Sequence, residues 1–375
     1  MKPFKKKILF IITHLELGGA QGQLLLLVKN LDRNKYSLYL SSGDQGYLKE
    51  EFLKLPYLHI KLIPELIRNI NPFYDFIAFL KLYFYIKKNK FDIVHTNSPK
   101  ASILGRWAAY LAGVKGIIYT VHGWPFHKFM NPIVHYLYIL IEKVTAKITK
   151  KIIVVSEADL RTGIENEIAD KNRIFLVHYG IEIDKFNKVY DQRSEIFPGN
   201  TVFTISSFKP QKDIFNFLKL AKMLLDRNPQ LNFIIAGDGP LRKRVEKRIE
   251  LLGLSGKVHL KGWSDDVSLL FKMASLFVLT SLWEGLPVSL IEAVVSGVPV
   301  VVTNTGGIFD IVKSGNQGVV VNPTNILEIE SACWEILKNY DNWSTIVRNG
   351  RKKLNLKYWS FARTLREIEN IYATI

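Results

Sequence analysis

Short runs rich in Val, Ile, Leu and Phe alternate along the chain with longer stretches in which apolar residues recur every three or four positions. Short β-branched runs predict strands buried on both faces, and the periodic stretches predict helices. Their alternation predicts parallel strands joined by crossover helices. In the first half the expected strands are Lys7–Thr13, Tyr36–Ser41, His59–Ile63, Ile93–Thr96, Ile117–Val121, Ile152–Val155 and Ile174–His178. After Asp184-Lys-Phe comes a polar stretch, Asn187 to Asn200, closing on Pro198-Gly199-Asn200, which reads as a linker. The pattern then restarts, with strands expected at Thr201–Ser206, Asn232–Ala236, Val258–Leu260, Leu276–Thr280, Pro299–Val302 and Gly318–Val321. The expected class is α/β, two doubly wound Rossmann-like domains facing across a cleft, the first over residues 1–186 and the second over 187–357. Such sheets bind ligands beyond the carboxyl ends of their strands, so the informative residues should follow strands.

Length and composition agree with this and exclude several classes. The 375 residues suit two domains, and 48% hydrophobic with 23% charged residues excludes large-scale disorder. The single cysteine, Cys333, allows neither an internal disulfide nor a cysteine metal cluster and fits a reducing compartment. The longest nearly unbroken apolar run, Ile133 to Ile141, falls far short of the ~20 residues of a transmembrane helix. The start, MKPFKKKILFIITHLELGG, imitates a signal peptide, but its apolar run ends at His14, so a buried first strand is expected. Charge changes the picture more. The net charge is +17, and residues 1–185 hold 27 basic against 16 acidic side chains, so the first half should meet something acidic.

The strand ends carry the candidate chemistry. The first strand runs into Gly18-Gly19 before an apolar helix, a place where backbone can approach a ligand and helix N–H groups can meet an anion, although Gly-Gly is also ordinary turn chemistry. This is not a GxGxxG fingerprint, and Gly237-Asp-Gly-Pro240 lacks the Gly-Lys-Ser/Thr of a Walker loop. The strongest feature is Thr280-Ser-Leu-Trp-Glu284-Gly-Leu-Pro287-Val-Ser-Leu-Ile-Glu292-Ala. A strand ends, Gly285 and Pro287 shape a turn, and a helix carries Glu292. Two such carboxylates can accept hydrogen bonds from sugar and ribose hydroxyls, and the N–H groups at Val288, Ser289 and Leu290 can hold a diphosphate.

Gly18-Gly19, His122-Gly123, Lys209-Pro-Gln-Lys212, Gly237-Asp-Gly-Pro240, Glu284 and Glu292 eight residues apart, and Thr305-Gly-Gly307 occur in the order seen in retaining glycosyltransferases of family 4. The sequence resembles that family over nearly its whole length. The resemblance implies the GT-B fold, a nucleotide-sugar donor on the second domain, an acceptor on the first, no cofactor and no metal. It implies a final helix, within 358–375, that crosses back to the first domain. It also implies that Glu284 contacts the transferred sugar, Glu292 the ribose, Lys212 the donor phosphates, and that His122 lies beside the sugar. An arginine usually stands five residues before that lysine. Here Ser207 occupies the place, and Lys209 is the expected substitute cation. Catalysis is thus expected from His122, Lys212 and Glu284, and donor binding from Gly18, Gly19, Lys209, Lys212, Glu284, Gly285, Leu286, Pro287, Val288, Ser289, Leu290 and Glu292. His95, at another strand end, reads as a core residue.

The acceptor side is less explicit. Residues 115–151 hold six lysines against the one acid Glu142, interleaved with Trp124, Phe126, Phe129, Tyr136 and Tyr138, and Phe73 to Lys88 adds more aromatics. Amphipathic helices ordinarily bury such residues, whereas cations among aromatics suit an anionic membrane interface. The expected partners are a UDP-sugar, a lipid-linked saccharide and an anionic membrane surface on the cytoplasmic face, with no nucleic acid, in surface polysaccharide assembly. The alternatives are a nucleotide-sugar 2-epimerase of the same fold and a non-catalytic sugar-nucleotide-binding subunit, the latter drawing on Ser207.

Overall fold

The computed structural model describes residues 5–193, 200–264, 266–313 and 315–375. Its chain separates into one unit running to Tyr179 and resuming at Phe361–Ile375, and a second, Gly180–Ser360.

The first unit holds a parallel sheet of seven strands: β1 (Lys6–Ile11), β2 (Tyr36–Ser42), β3 (Leu58–Leu62), β4 (Ile93–Asn97), β5 (Gly116–Val121), β6 (Lys151–Val154) and β7 (Ile174–Leu176). Their order is β3-β2-β1-β4-β5-β6-β7. The run in β1 is apolar at consecutive positions because both faces are covered. Ile8 and Phe10 enter the core with α1 (Gly19–Asn30), while Leu9 and Ile11 enter the opposite one. After α2 (Lys49–Leu53), the crossovers α3 (Pro72–Asn89), α4 (Pro99–Leu111) and α5 (Pro132–Ala146) all step the chain the same way along the sheet, so right-handed connections put them on one face. α6 (Glu157–Glu165) follows β6.

The second unit repeats the design with α7 (Ile183–Arg193), β8 (Thr201–Ile205), α8 (Ile214–Arg227), β9 (Asn232–Ala236), α9 (Arg242–Leu251), β10 (Val258–Gly262), α10 (Ser268–Met273), β11 (Leu276–Leu279), α11 (Val288–Val295), β12 (Val300–Thr303), α12 (Ile308–Ile311), β13 (Gly318–Val321), α13 (Ile326–Lys338) and α14 (Tyr340–Lys352). Its parallel sheet runs β10-β9-β8-β11-β12-β13. The last helix, α15 (Phe361–Ala373), packs Phe361, Ile368, Ile371 and Tyr372 into the core of the first unit. Strand order reverses between β1 and β4 and between β8 and β11, and ligand sites of doubly wound sheets form beyond such switch points.

All thirteen expected strands form, but Thr13, Val155, His178, Ser206 and Thr280 lie just past their strands and begin the loops. Three expectations need correction. The division falls at Tyr179/Gly180, not at 186/187. The expected linker begins inside α7, whose Phe186, Val189 and Arg193 are buried. The Arg193 guanidinium holds the Phe271 and Ala274 carbonyls at 2.5 and 2.6 Å, which gives a helix of polar composition its reason to dock. The remainder of that stretch up to residue 199 lies outside the described residues. The third correction concerns α5, which does not bury its apolar stripe. Its buried positions are Ile139, Glu142, Thr145 and Ala146, and Glu142 pairs at 2.7 Å with Arg106 of α4, both side chains fully buried. Among the described residues, no helix is long and apolar enough to cross a membrane.

Candidate active site

The switch point of the second unit brings together the loops after β8 and β11. The β8 loop closes in a short 3-10 turn, Pro210–Lys212, after Lys209, and Asp213 follows in the left-handed region at φ 45°. The β11 loop is laced to it. The Leu282 N–H donates to the Gln211 carbonyl at 2.8 Å, and the Gln211 side-chain amide donates to the Trp283 carbonyl at 2.8 Å. The Thr280 hydroxyl lies 3.1 Å from both the Lys212 and Asp213 carbonyls. These bonds bring the Lys212 ammonium to 2.5 Å from Glu284 Oε1, with the Glu284 side chain only 7% exposed. A carboxylate that is nearly buried needs such a partner.

A third loop supports Glu284 from behind. Gly306 sits at φ 53°, and a Cβ there would lie 2.2 Å from the Glu284 carbonyl, so both conformation and space demand glycine. The Gly307 N–H donates to the Gly285 carbonyl at 2.7 Å. Leu286 is buried, Pro287 precedes the first turn of α11, and that turn contains no acidic side chain. The first N–H groups of a helix have no intrahelical acceptor, but that of Leu290 is taken by the Pro287 carbonyl at 3.1 Å, so Val288 and Ser289 are the two positioned to donate outward. Glu292 lies within electrostatic reach of Lys185 and Asp266, which pair with each other at 3.0 Å. Burial raises its carboxyl to about 7, with Lys185 acting against the shift and Asp266 adding to it.

In the first unit, His122 follows β5 beside the end of β4. Its Nε2 faces Asn97 Oδ1 at 2.9 Å and its Nδ1 bonds the Tyr179 hydroxyl. Because the amide oxygen only accepts, Nε2 carries the proton and Nδ1 accepts from Tyr179. Burial lowers this imidazole to about 3, which keeps it neutral at ordinary pH. His95 is a core residue, as the sequence suggested: it is 1% exposed and bonds the Tyr372 and Thr120 hydroxyls at 2.6 Å each. Gly18 precedes α1 at an extended φ of −160°, and a Cβ there would meet only the mobile end of Gln21, so packing does not dictate its identity.

Lys212, Glu284, Gly285 and the start of α11 are thus joined in one hydrogen-bonded arrangement, Glu292 lies four residues into the same helix, and Lys209 opens the turn that carries Lys212. His122, Gly18 and Gly19 belong to the other unit. Sequence reasoning missed Asn97 and Tyr179, which stand at or just past strand ends and so fell within its own search rule. It also missed Lys185 and Asp266, whose meeting with Glu292 is set by tertiary packing of α7.

Two family models match the chain, one described as Glycosyltransferase Family 4 over residues 17–185 and one described as Glycosyl transferases group 1 over residues 189–353. An Escherichia coli relative, the UDP-Gal:alpha-D-GlcNAc-diphosphoundecaprenol alpha-1,3-galactosyltransferase, is 34% identical over 84% of each chain. The capsular polysaccharide biosynthesis glycosyltransferase CapM of Staphylococcus aureus is 26% identical over 98% of this chain and 97% of its own. Among solved structures, the Anabaena protein HepE in complex with UDP and glucose superposes with a TM-score of 0.80 at 18% identity, covering 99% of this chain and all of that one. Two doubly wound parallel sheets in the GT-B pattern, family models matching both halves, and a relative of this identity over most of the chain together establish that the protein belongs to glycosyltransferase family 4.

Proposed function

We propose that the protein is a retaining hexosyltransferase that moves a sugar from a UDP-sugar to a lipid-linked saccharide in surface polysaccharide assembly, at the inner face of the cell membrane. The second unit binds the donor and the first the acceptor. The observation that carries the donor half is the Lys212–Glu284 contact at a switch-point strand end. An ammonium has three donors, so Lys212 can hold Glu284 and still meet a phosphate oxygen, while Glu284 Oε2 accepts from a sugar hydroxyl. As the bond to the anomeric carbon lengthens, negative charge grows on the leaving diphosphate. Lys212, Lys209 and the Val288 and Ser289 N–H groups stabilise it there. Glu292 accepts from the ribose. His122, neutral and held by Asn97 and Tyr179, offers a fixed polar edge beside the sugar. The Escherichia coli relative, named for UDP-galactose and a diphosphoundecaprenol-linked acceptor, supports the choice of both substrates.

The test is transfer from UDP-galactose, UDP-glucose and UDP-N-acetylglucosamine to a synthetic lipid-diphosphate N-acetylglucosamine, with the anomeric configuration of the product read by NMR. An α-linked product is expected. A β-linked product refutes retention, an epimerised donor without acceptor points to the 2-epimerase, and donor binding with no turnover points to the binding subunit.

A further inference from the structure

Two helices of the first unit each carry an apolar stripe on the outside in addition to the residues they bury. On α5 the outward stripe is Ile133, Tyr136 with Leu137, Leu140 and Val144, from 43% to 79% exposed across the face, and it ends at exposed Lys147. On α3 it is Phe73, Phe76, Leu80 and Phe84, ending at exposed Lys87; Phe73, Phe76 and Phe84 are each more than 60% exposed. Both stripes use the same helical spacing, three or four residues per step, and each runs about 21 Å at 1.5 Å per residue. α3 and α5 flank α4 on one face of the sheet. What turns α5 inside out is its inner face, where Glu142 must reach Arg106 and where the Trp107 indole donates to Thr145 at 3.3 Å. Soluble monomers rarely expose apolar surface of this extent.

Charge says what covers it. Residues 72–151 contain three acids, and each is engaged: Asp75 by Lys100, Asp92 by the Lys7 N–H, and Glu142 by Arg106. The cations around the stripes remain in excess. Lys87 bonds the Tyr83 hydroxyl and lies over that ring, Lys128 lies over Phe129, and Lys88, Lys147 and Lys150 are exposed. A second copy of the chain would bring the same cations against themselves. An anionic bilayer presents apolar depth bordered by negative headgroups.

We propose that α3 and α5 form a membrane-docking face whose apolar stripes enter the interfacial layer of an anionic bilayer while the lysines at their ends hold the headgroups. In a parallel sheet the crossover helices run opposite to the strands, so the first turns of α3 and α5 lie at the carboxyl edge that carries Asn97 and His122. A lipid-linked acceptor would therefore arrive at the edge where it reacts. This deepens the proposed function and rests on it for the acceptor.

The experiment is co-sedimentation with vesicles of phosphatidylglycerol and phosphatidylethanolamine, and with phosphatidylcholine alone. Ile133→Ser with Leu137→Ser and Leu140→Ser should lower the partition coefficient by at least about tenfold at every salt concentration, because apolar insertion is not screened. Lys87→Gln with Lys88→Gln, Lys147→Gln and Lys150→Gln should lower it mainly at low salt. Retention of the triple serine variant at the parent's level overturns the proposal, as does equal binding of the parent to neutral vesicles. So does a lipid-free dimer of the parent that the serine substitutions dissociate. Transfer to a short-chain, water-soluble acceptor separates the two readings: the serine variant should keep it, whereas its absence in the parent refutes the acceptor and leaves docking standing.

Discussion

Glu292→Gln tests both the electrostatics of the second unit and the assignment of the ribose contact. The carboxyl stands at about 7 when folded against an ordinary value of 4.5, with burial as the largest cause. A carboxyl raised by folding favours the fold while protonated. Its penalty is absent below the unfolded value, grows as pH rises through the interval, and levels off above the folded value. At 1.36 kcal/mol per unit, the ionised group costs about 3 kcal/mol at pH 8 and about 1 kcal/mol at pH 5. Glutamine keeps the shape without the charge, so the variant should be more stable than the parent by those amounts. Denaturant unfolding at the two pH values, followed by a probe in the second unit, measures them. Donor binding should move the other way. Ribose hydroxyls stabilise the carboxylate, so UDP-sugar affinity in the parent should rise as pH climbs through about 7, and the variant should bind weakly without that rise. A stability gain equal at pH 5 and pH 8 would refute the burial argument, and unchanged donor affinity in the variant would refute the ribose contact.

Lys212→Met should reduce kcat about 100- to 1000-fold through loss of charge stabilisation on the leaving diphosphate, and it should also lower the melting temperature because Glu284 loses its partner; steady-state kinetics and a thermal melt check both. Gly306→Ala should cost about 1 to 3 kcal/mol from strain at positive φ and push back the Glu284 backbone, so unfolding free energy and turnover should fall together. His122→Gln should lower activity while leaving the midpoint of the pH profile between 5 and 8 where it was, since an imidazole near 3 does not titrate there; a midpoint that vanishes with this substitution would make His122 the titrating group.

The sheets were readable because strands buried on both faces must be apolar at every position, and β12, Val-Val-Val-Thr, can hardly be anything else. Glu284 was readable because Gly285 and Pro287 mark a turn at the end of such a strand. Boundaries were less so. α7 hides behind a polar composition: it buries Phe186 and Val189, but its last turn is docked by Arg193 reaching for carbonyl oxygens at the end of α10, which no hydrophobic period announces. The same limit explains Glu292. Its place on a helix was visible, but its raised carboxyl follows from burial in the folded unit, trimmed by Lys185 and reinforced by Asp266, which lie more than 100 and about 25 residues away along the chain.

α5 shows why periodicity alone misassigns faces. A helix with Ile133, Leu137, Leu140 and Val144 on one side is expected to turn that side inward, and it would, were every inward contact apolar. Here the opposite side carries Glu142, and an ionised carboxylate removed from water is tolerable only against a cation. Arg106 is already committed: its guanidinium also donates to the Ser102 carbonyl and the Thr149 hydroxyl and stacks over Tyr119. Rotating α5 to bury its leucines would strand that cation in the core, a loss of about 3 to 5 kcal/mol. The buried pair therefore sets the rotation of the helix and, with it, the apolar surface left to face outward. The ion pair and the outward apolar stripe are two sides of one packing choice.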